Sequence, residues 1–94
     1  MLYNLWNKGT IDRLLSEAGF SFKKSLGQNF LTNPDVCPAM AAAAADSDTG
    51  VIEIGPGIGV LTAELAQIAK KVVAIELDER LRPILEKTLA DFDN

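Results

Sequence analysis

Val51-Ile52-Glu53-Ile54-Gly55-Pro56-Gly57-Ile58-Gly59 is the stretch on which the fold turns. Val51 to Ile54 is a short, mostly apolar run that reads as a buried strand. Three glycines at alternate positions follow and keep ordinary side chains off one side of a tight bend. Beyond Val60, Leu61, Leu65 and Ile68 recur at i, i+4, i+7, a helical stripe. Strand, glycine bend and helix make the first half of a βαβ unit, whose crevice is where open α/β sheets take ligands. Without Cβ atoms at Gly55, Gly57 and Gly59, a ligand can approach the backbone closely.

The second half of the unit lies at the right distance. Lys71-Val72-Val73-Ala74-Ile75 reads as another strand and ends in Glu76. A carboxylate at a second strand tip, about 20 residues beyond the glycine bend, is placed to accept hydrogen bonds from a ribose diol. The bland alternative is a purely structural bend beside a solvated Glu76. Dinucleotide folds use G-x-G-x-x-G, so that a pyrophosphate sits on the helix N-terminus. The spacing here is G-x-G-x-G, with rigid Pro56 between the first two glycines. That compact bend suits a nucleoside ligand without a pyrophosphate, and S-adenosylmethionine is one: adenine, ribose diol, sulfonium and an amino-acid end.

The chain has 94 residues, 48% of them hydrophobic and 23% charged, a composition of globular rather than disordered protein. Only two strands are legible, few for a parallel sheet that needs cover on both faces. The expectation is therefore the N-terminal piece of a longer protein, with an open sheet that favours self-association in isolation. Net charge −4 argues against this segment as a main nucleic-acid surface. Cys37 alone cannot form an internal disulfide, and reducing, cytoplasmic conditions are the default. With no histidine and no cysteine cluster, no metal site is expected. The N-terminal apolar residues are interrupted by Asn4, Asn7 and Lys8, and the Ala41 to Ala45 run is far too short to span a membrane.

Met1 to Gly9 reads as an irregular arm that packs its aromatics. Thr10 is a candidate cap for a short helix with Ile11, Leu14, Leu15 and Ala18 on its apolar face, stopped by Gly19. Structural docking is the first reading of this helix, and contact with an RNA partner the second. Phe20 to Leu31 mixes aromatics and lysines with the amide pair Gln28-Asn29, set between Gly27 and Phe30. Such amides can direct hydrogen bonds to a buried polar ligand, or simply belong to a surface loop. Asn33-Pro34-Asp35 starts another helix, in which Pro38 is awkward. Asp78 is expected to cap a last helix with Leu81, Ile84, Leu85 and Leu89 on its face and Pro83 near its start.

Ser25-Leu26-Gly27-Gln28-Asn29-Phe30-Leu31, the Glu53 to Gly59 motif and Ala74-Ile75-Glu76-Leu77-Asp78, in that order, resemble the ribosomal RNA adenine N6,N6-dimethyltransferases, and most closely their small-subunit branch. The resemblance covers nearly the whole chain. It implies an α/β fold, the truncated N-terminal part of a Rossmann-like S-adenosylmethionine-dependent methyltransferase with a parallel sheet and flanking helices. Residues 1–24 would be an arm and short helix, and residues 25–94 the first βαβα portion of the cofactor domain. The implied reaction dimethylates N6 of two adjacent adenines in a small-subunit (16S) rRNA hairpin loop during ribosome assembly. By this resemblance Asn29 and Leu31, next to Gln28, contact the methionine and sulfonium part of the cofactor. Gln28 and Glu53, which opens the glycine motif, belong to the same cofactor-binding set; Gly55 and Gly57 lie along the cofactor, Glu76 holds the ribose hydroxyls and Leu77 packs on adenine. The family's Gly-Asp and Asn-Leu-Pro-Tyr motifs, which handle the target base, and its helical C-terminal domain would come after Asn94. No catalytic residue is therefore assigned here, and rRNA or the pre-30S particle would be bound mainly by other regions. Three readings compete: a large-subunit rRNA methyltransferase of the macrolide-resistance type, a nicotinamide-dependent dehydrogenase, and a non-catalytic RNA- or protein-binding module.

Overall fold

The computed structural model describes residues 4–5, 7–19 and 35–94. Helix α1 spans Lys8–Glu17 and α2 spans Val36–Ala44. Strand β1 (Gly50–Ile54), helix α3 (Val60–Ile68) and strand β2 (Lys71–Ile75) form the βαβ unit. A 3₁₀ turn at Glu79–Leu81 leads into α4, Arg82–Thr88. The strands pair in parallel with Gly50 opposite Lys71 and Ile54 opposite Ile75. This is the α/β arrangement anticipated from the sequence.

The register puts both strand tips side by side, and Gly55 N–H extends the ladder by donating to Ile75 O at 2.8 Å. One sheet face carries Val51, Glu53, Val72 and Ala74, all half-buried. Glu53 is tied there to α3 through Thr62, and α2 packs against α3. The other face carries Ile52, 70% exposed, and Ile54, 74% exposed, beside Val73 and Ile75. The expected buried strand is thus covered on one side only. Apolar residues occupy both faces, as in a sheet destined for two-sided cover, but the described elements pack on one.

The main core lies at the other end of the bend. Leu5, Ile11, Leu14 and Leu15 from the N-terminal segment join Ile58 from the bend and Leu81 and Ile84 from the last helical region. Burying each such side chain contributes on the order of 1.5–3 kcal/mol. The α3 stripe is shifted from the expected one. Leu65 is buried, but Thr62 and Ala69 share the inner face while Ile68 is 37% exposed.

Three local expectations need correction. Asn7, not Thr10, caps α1: the Asn7 Oδ1 accepts from Thr10 N–H at 3.1 Å, which makes Thr10 the third helical residue. Gly19 does end that helix, in a left-handed conformation with φ +65°. Pro38 is comfortable in α2, because it is the third residue of a helix beginning at Val36. Its missing N–H is one of the four that have no intrahelical partner anyway. Asp78 caps the 3₁₀ turn rather than α4 directly, accepting from Arg80 N–H at 3.0 Å. Asn33 and Pro34, the other half of the expected α2 start, and the aromatics Tyr3 and Trp6 lie outside the described residues.

The glycines of the bend predict different costs on substitution. Gly55 has φ +73°, yet a Cβ there meets nothing within 4 Å. Gly59 has φ +95°, and a Cβ there falls 3.0 Å from Thr88 Oγ1 and 3.3 Å from Leu85 Cδ2. Gly55→Ala is expected to cost about 1–2 kcal/mol from the left-handed backbone alone. Gly59→Ala carries the same strain plus a crowding cost of about 1–3 kcal/mol. Urea midpoints followed by circular dichroism should rank wild type above Gly55→Ala above Gly59→Ala.

Candidate functional site

The candidate site is the bend together with the tip of β2. Gly55, Gly57 and Gly59 all have positive φ, a conformation that only glycine adopts without strain. The residues between them, Pro56 and Ile58, are buried. The exposed side of the bend is therefore backbone, and the space in front of Gly55 is open.

Glu76 closes this arrangement. Gly57 N–H donates to Glu76 Oε1 at 3.1 Å, and Asp78 N–H donates to Glu76 Oε2 at 2.8 Å. Each carboxylate oxygen is held by one backbone donor and retains acceptor capacity for a further hydroxyl. Asp78 is itself buried and gripped by Arg80, whose Nε donates to Asp78 Oδ1 at 2.9 Å and whose Nη2 donates to Oδ2. Two parallel charge-assisted bonds fix that turn firmly. Leu77, between the two acids, is 85% exposed and offers a bare apolar surface at the strand tip.

Glu53 lies on the sheet face toward α3, where Thr62 Oγ1 donates to its Oε1. Burial pushes its carboxyl group above the ordinary value of 4.5, and the Thr62 hydrogen bond opposes that rise. Nearby on α2, burial, then the charges of Glu64 and Glu53, push the Cys37 thiol up. A thiol raised in that way stays protonated and is a poor nucleophile.

Of the sequence-derived candidates, the structure brings Gly55, Gly57, Glu76 and Leu77 together at one edge. Glu53, near the end of β1, is instead bonded to Thr62 of α3. Gln28, Asn29 and Leu31 lie outside the described residues. Sequence reasoning missed Thr62 and Thr88. Thr88 is buried and donates through Oγ1 to Ile58 O at 2.8 Å, tying α4 to the bend. Both could have been suspected as polar residues among the inward positions of helices; Thr88 follows Leu81 and Ile84 at i+7 and i+4.

The set fits an adenosyl cofactor on its chemistry. A side-chain-free bend permits close approach, an oriented carboxylate suits a diol, and an exposed leucine suits a flat base. Comparison with known proteins bears on the same point. A family model described as "Ribosomal RNA adenine dimethylase" matches residues 19–94. The chain is 58% identical over 87 residues to "Ribosomal RNA small subunit methyltransferase A" of Geobacillus thermodenitrificans, covering 92% of this chain and 30% of that protein. It is 57% identical over 82 residues to the Bacillus licheniformis protein of the same name, covering 86% and 28%. With the Geobacillus kaustophilus protein, also so named, it is 53% identical over 95 residues, covering 100% and 32%. The chain thus spans about 30% of the length of the curated relatives it matches.

Glu53 supplies a pH signature. Its folded-state value is raised above 4.5, so the folded chain binds the proton more tightly than the unfolded chain. The contribution is fully present below 4.5 and is lost as pH rises through the folded value. Glu53→Gln, which keeps an acceptor for Thr62, is expected to remove this part of the stability–pH curve. Urea midpoints of both chains from pH 4 upward check it, and parallel curves would refute it.

Proposed function

Because the chain belongs to the ribosomal RNA adenine dimethylase family, we propose that it carries the S-adenosylmethionine-binding part of a small-subunit rRNA methyltransferase. The proposed reaction places two methyl groups on N6 of each of two adjacent adenines in a 16S rRNA hairpin loop during ribosome biogenesis. The observation that carries this reading is the Glu76 carboxylate, 3.1 Å from the Gly57 amide across a bend without side chains. In this reading Glu76 takes the ribose hydroxyls, Leu77 packs on adenine, and Gly55 and Gly57 let the cofactor lie against the backbone. Asn29 and Leu31 face the methionine and sulfonium portion, and Gln28 and Glu53 complete the cofactor-binding set. When bound, S-adenosylmethionine supplies an electrophilic methyl group.

The organisation proposed is an arm with a short helix over residues 1–24 and the first βαβα portion of the cofactor domain over residues 25–94. The rRNA or pre-30S particle is engaged mainly by parts of the polypeptide beyond this segment, consistent with the acidic balance here. The relatives' names refer to the small subunit, which favours that branch over the macrolide-resistance type. Among the described residues no helix is long and apolar enough to cross a membrane. The proposed location, argued from the lone Cys37 and an rRNA substrate, is the cytoplasm.

Calorimetry tests the site. This 94-residue chain is expected to bind S-adenosylmethionine weakly, and to transfer no tritiated methyl to small-subunit particles. Joined to the downstream part of the Geobacillus kaustophilus relative, it should bind the cofactor and transfer methyl. Glu76→Ala in that hybrid should then weaken cofactor binding about 10–100-fold, the cost of losing hydrogen bonds to a charged group. Unchanged binding by Glu76→Ala would overturn the assignment.

The open sheet face leads to a second expectation. Ile52, Ile54, Val73 and Ile75 form a continuous exposed apolar surface, and such surfaces promote association. The isolated chain should sediment with a concentration-dependent mass. Ile52→Lys together with Val73→Lys should shift it toward monomer.

A further inference from the structure

We propose that α1 is a positioning element for the cofactor bend, holding the Gly57 amide against Glu76 by burying Ile58. This deepens the reading of the site given above and rests on it. Helix α1, Lys8–Glu17, lies wholly outside the span matched by the family, which begins at residue 19. Yet Ile11, Leu14 and Leu15 of α1, with Leu5 before it, supply four of the six buried residues clustered with Ile58.

Ile58 is the only large side chain inside the bend, and it is fully buried. Its neighbours Gly57 and Gly59 have no side chain with which to resist rotation, and both adopt φ angles above +60°. Beyond the internal turn bond from Gly59 N–H to Pro56 O at 3.0 Å, the bend is positioned by what grips Ile58. The side chain is held in the cluster, and the carbonyl receives the hydroxyl of buried Thr88. One residue earlier in the chain, the Gly57 N–H meets Glu76. Removing the α1 side of the cluster leaves it with Leu81 and Ile84 and the partly buried Val60 and Ala63 of α3. The bend is then free to rotate at Gly57, and the carboxylate loses the donor that orients it.

The Glu17–Lys87 ion pair, 3.6 Å between α1 and α4, lies at the exposed margin of the same contact. Both partners are about half exposed, so its part is minor. The apolar residues are the ones that act.

The test is amide hydrogen exchange by nuclear magnetic resonance on the 94-residue chain without cofactor, so that it does not depend on the cofactor assignment. Leu14→Ala is expected to speed exchange at Gly57 about tenfold, while Gly55, bonded to Ile75 in the sheet ladder, keeps its wild-type rate. Leu14→Met, which refills the space, should restore Gly57. Leu65→Ala, an equally buried truncation in α3 outside the cluster, should leave the ratio of Gly57 to Gly55 exchange unchanged. If Leu14→Ala unfolds the chain, Leu14→Val provides the milder perturbation, with the same selective change at Gly57 expected. Equal acceleration of Gly57 and Gly55, or none at Gly57, overturns the proposal. In the hybrid described above, Leu14→Ala should weaken S-adenosylmethionine binding about tenfold with little change in the turnover of saturated enzyme. A hybrid that fails to bind the cofactor even with wild-type α1, alongside the selective exchange at Gly57, would sink the cofactor reading and leave the positioning role standing.

Discussion

A bend containing three left-handed glycines in five residues has almost no means of choosing its own shape. Everything at this end of the sheet depends on how that freedom is removed. The structure removes it at three adjacent points: Ile58 is sunk in the core, its carbonyl is bonded by Thr88, and Gly57 N–H is bonded to Glu76. None of the three partners is local in sequence. The bend's own contribution is the rigid Pro56 and one turn bond, Gly59 N–H to Pro56 O at 3.0 Å; tertiary structure supplies the rest, and the β2 tip is defined with it. The same carboxylate that receives Gly57 receives Asp78 N–H, so strand tip, 3₁₀ turn and bend form one hydrogen-bonded unit.

The glycines divide the work. Gly55 faces open space, as a surface meant for a ligand should. Gly59 faces Thr88 and Leu85 across a gap too narrow for a methyl group, and its purpose is to let α4 close on the bend. Gly57 stands between, offering its amide to Glu76. One repeated residue type thus meets three different needs: access, close packing and a donor.

Much of this was legible before any coordinates. Short apolar runs located β1 and β2, and helical stripes with capping residues located the helices, because those signals are local to each element. The distance between glycine bend and acid correctly placed Glu76 beside Gly57, since a βαβ crossover fixes where the second strand must end. The failures are equally physical. Asn7 replaced Thr10 as the cap of α1, because two polar residues three apart are both able to cap and only packing of Ile11 and Leu14 selects the frame. Exposure of Ile52 and Ile54 was hidden because a sequence reports what a strand is suited to, not which neighbours cover it. Thr62 and Thr88 went unnoticed because a buried hydroxyl is recognisable only once its acceptor, Glu53 Oε1 or Ile58 O, is known to lie opposite. Residues 20–34, which carry Gln28, Asn29 and Leu31, fall outside the described structure and offer no such comparison.

Asn94 has a consequence of a different kind. Its side-chain amide donates to Ala66 O and Ala69 O at the C-terminal end of α3, each at 3.0 Å, and its own carbonyl accepts from Val72 N–H at 2.9 Å on the outer edge of β2. A helix end that has no partners among its own residues is thereby sealed by one 25 positions further along the chain. In vectorial synthesis, α3 and β2 emerge well before that amide does. Until Asn94 has been added, those two α3 carbonyls and the Val72 N–H lack these partners.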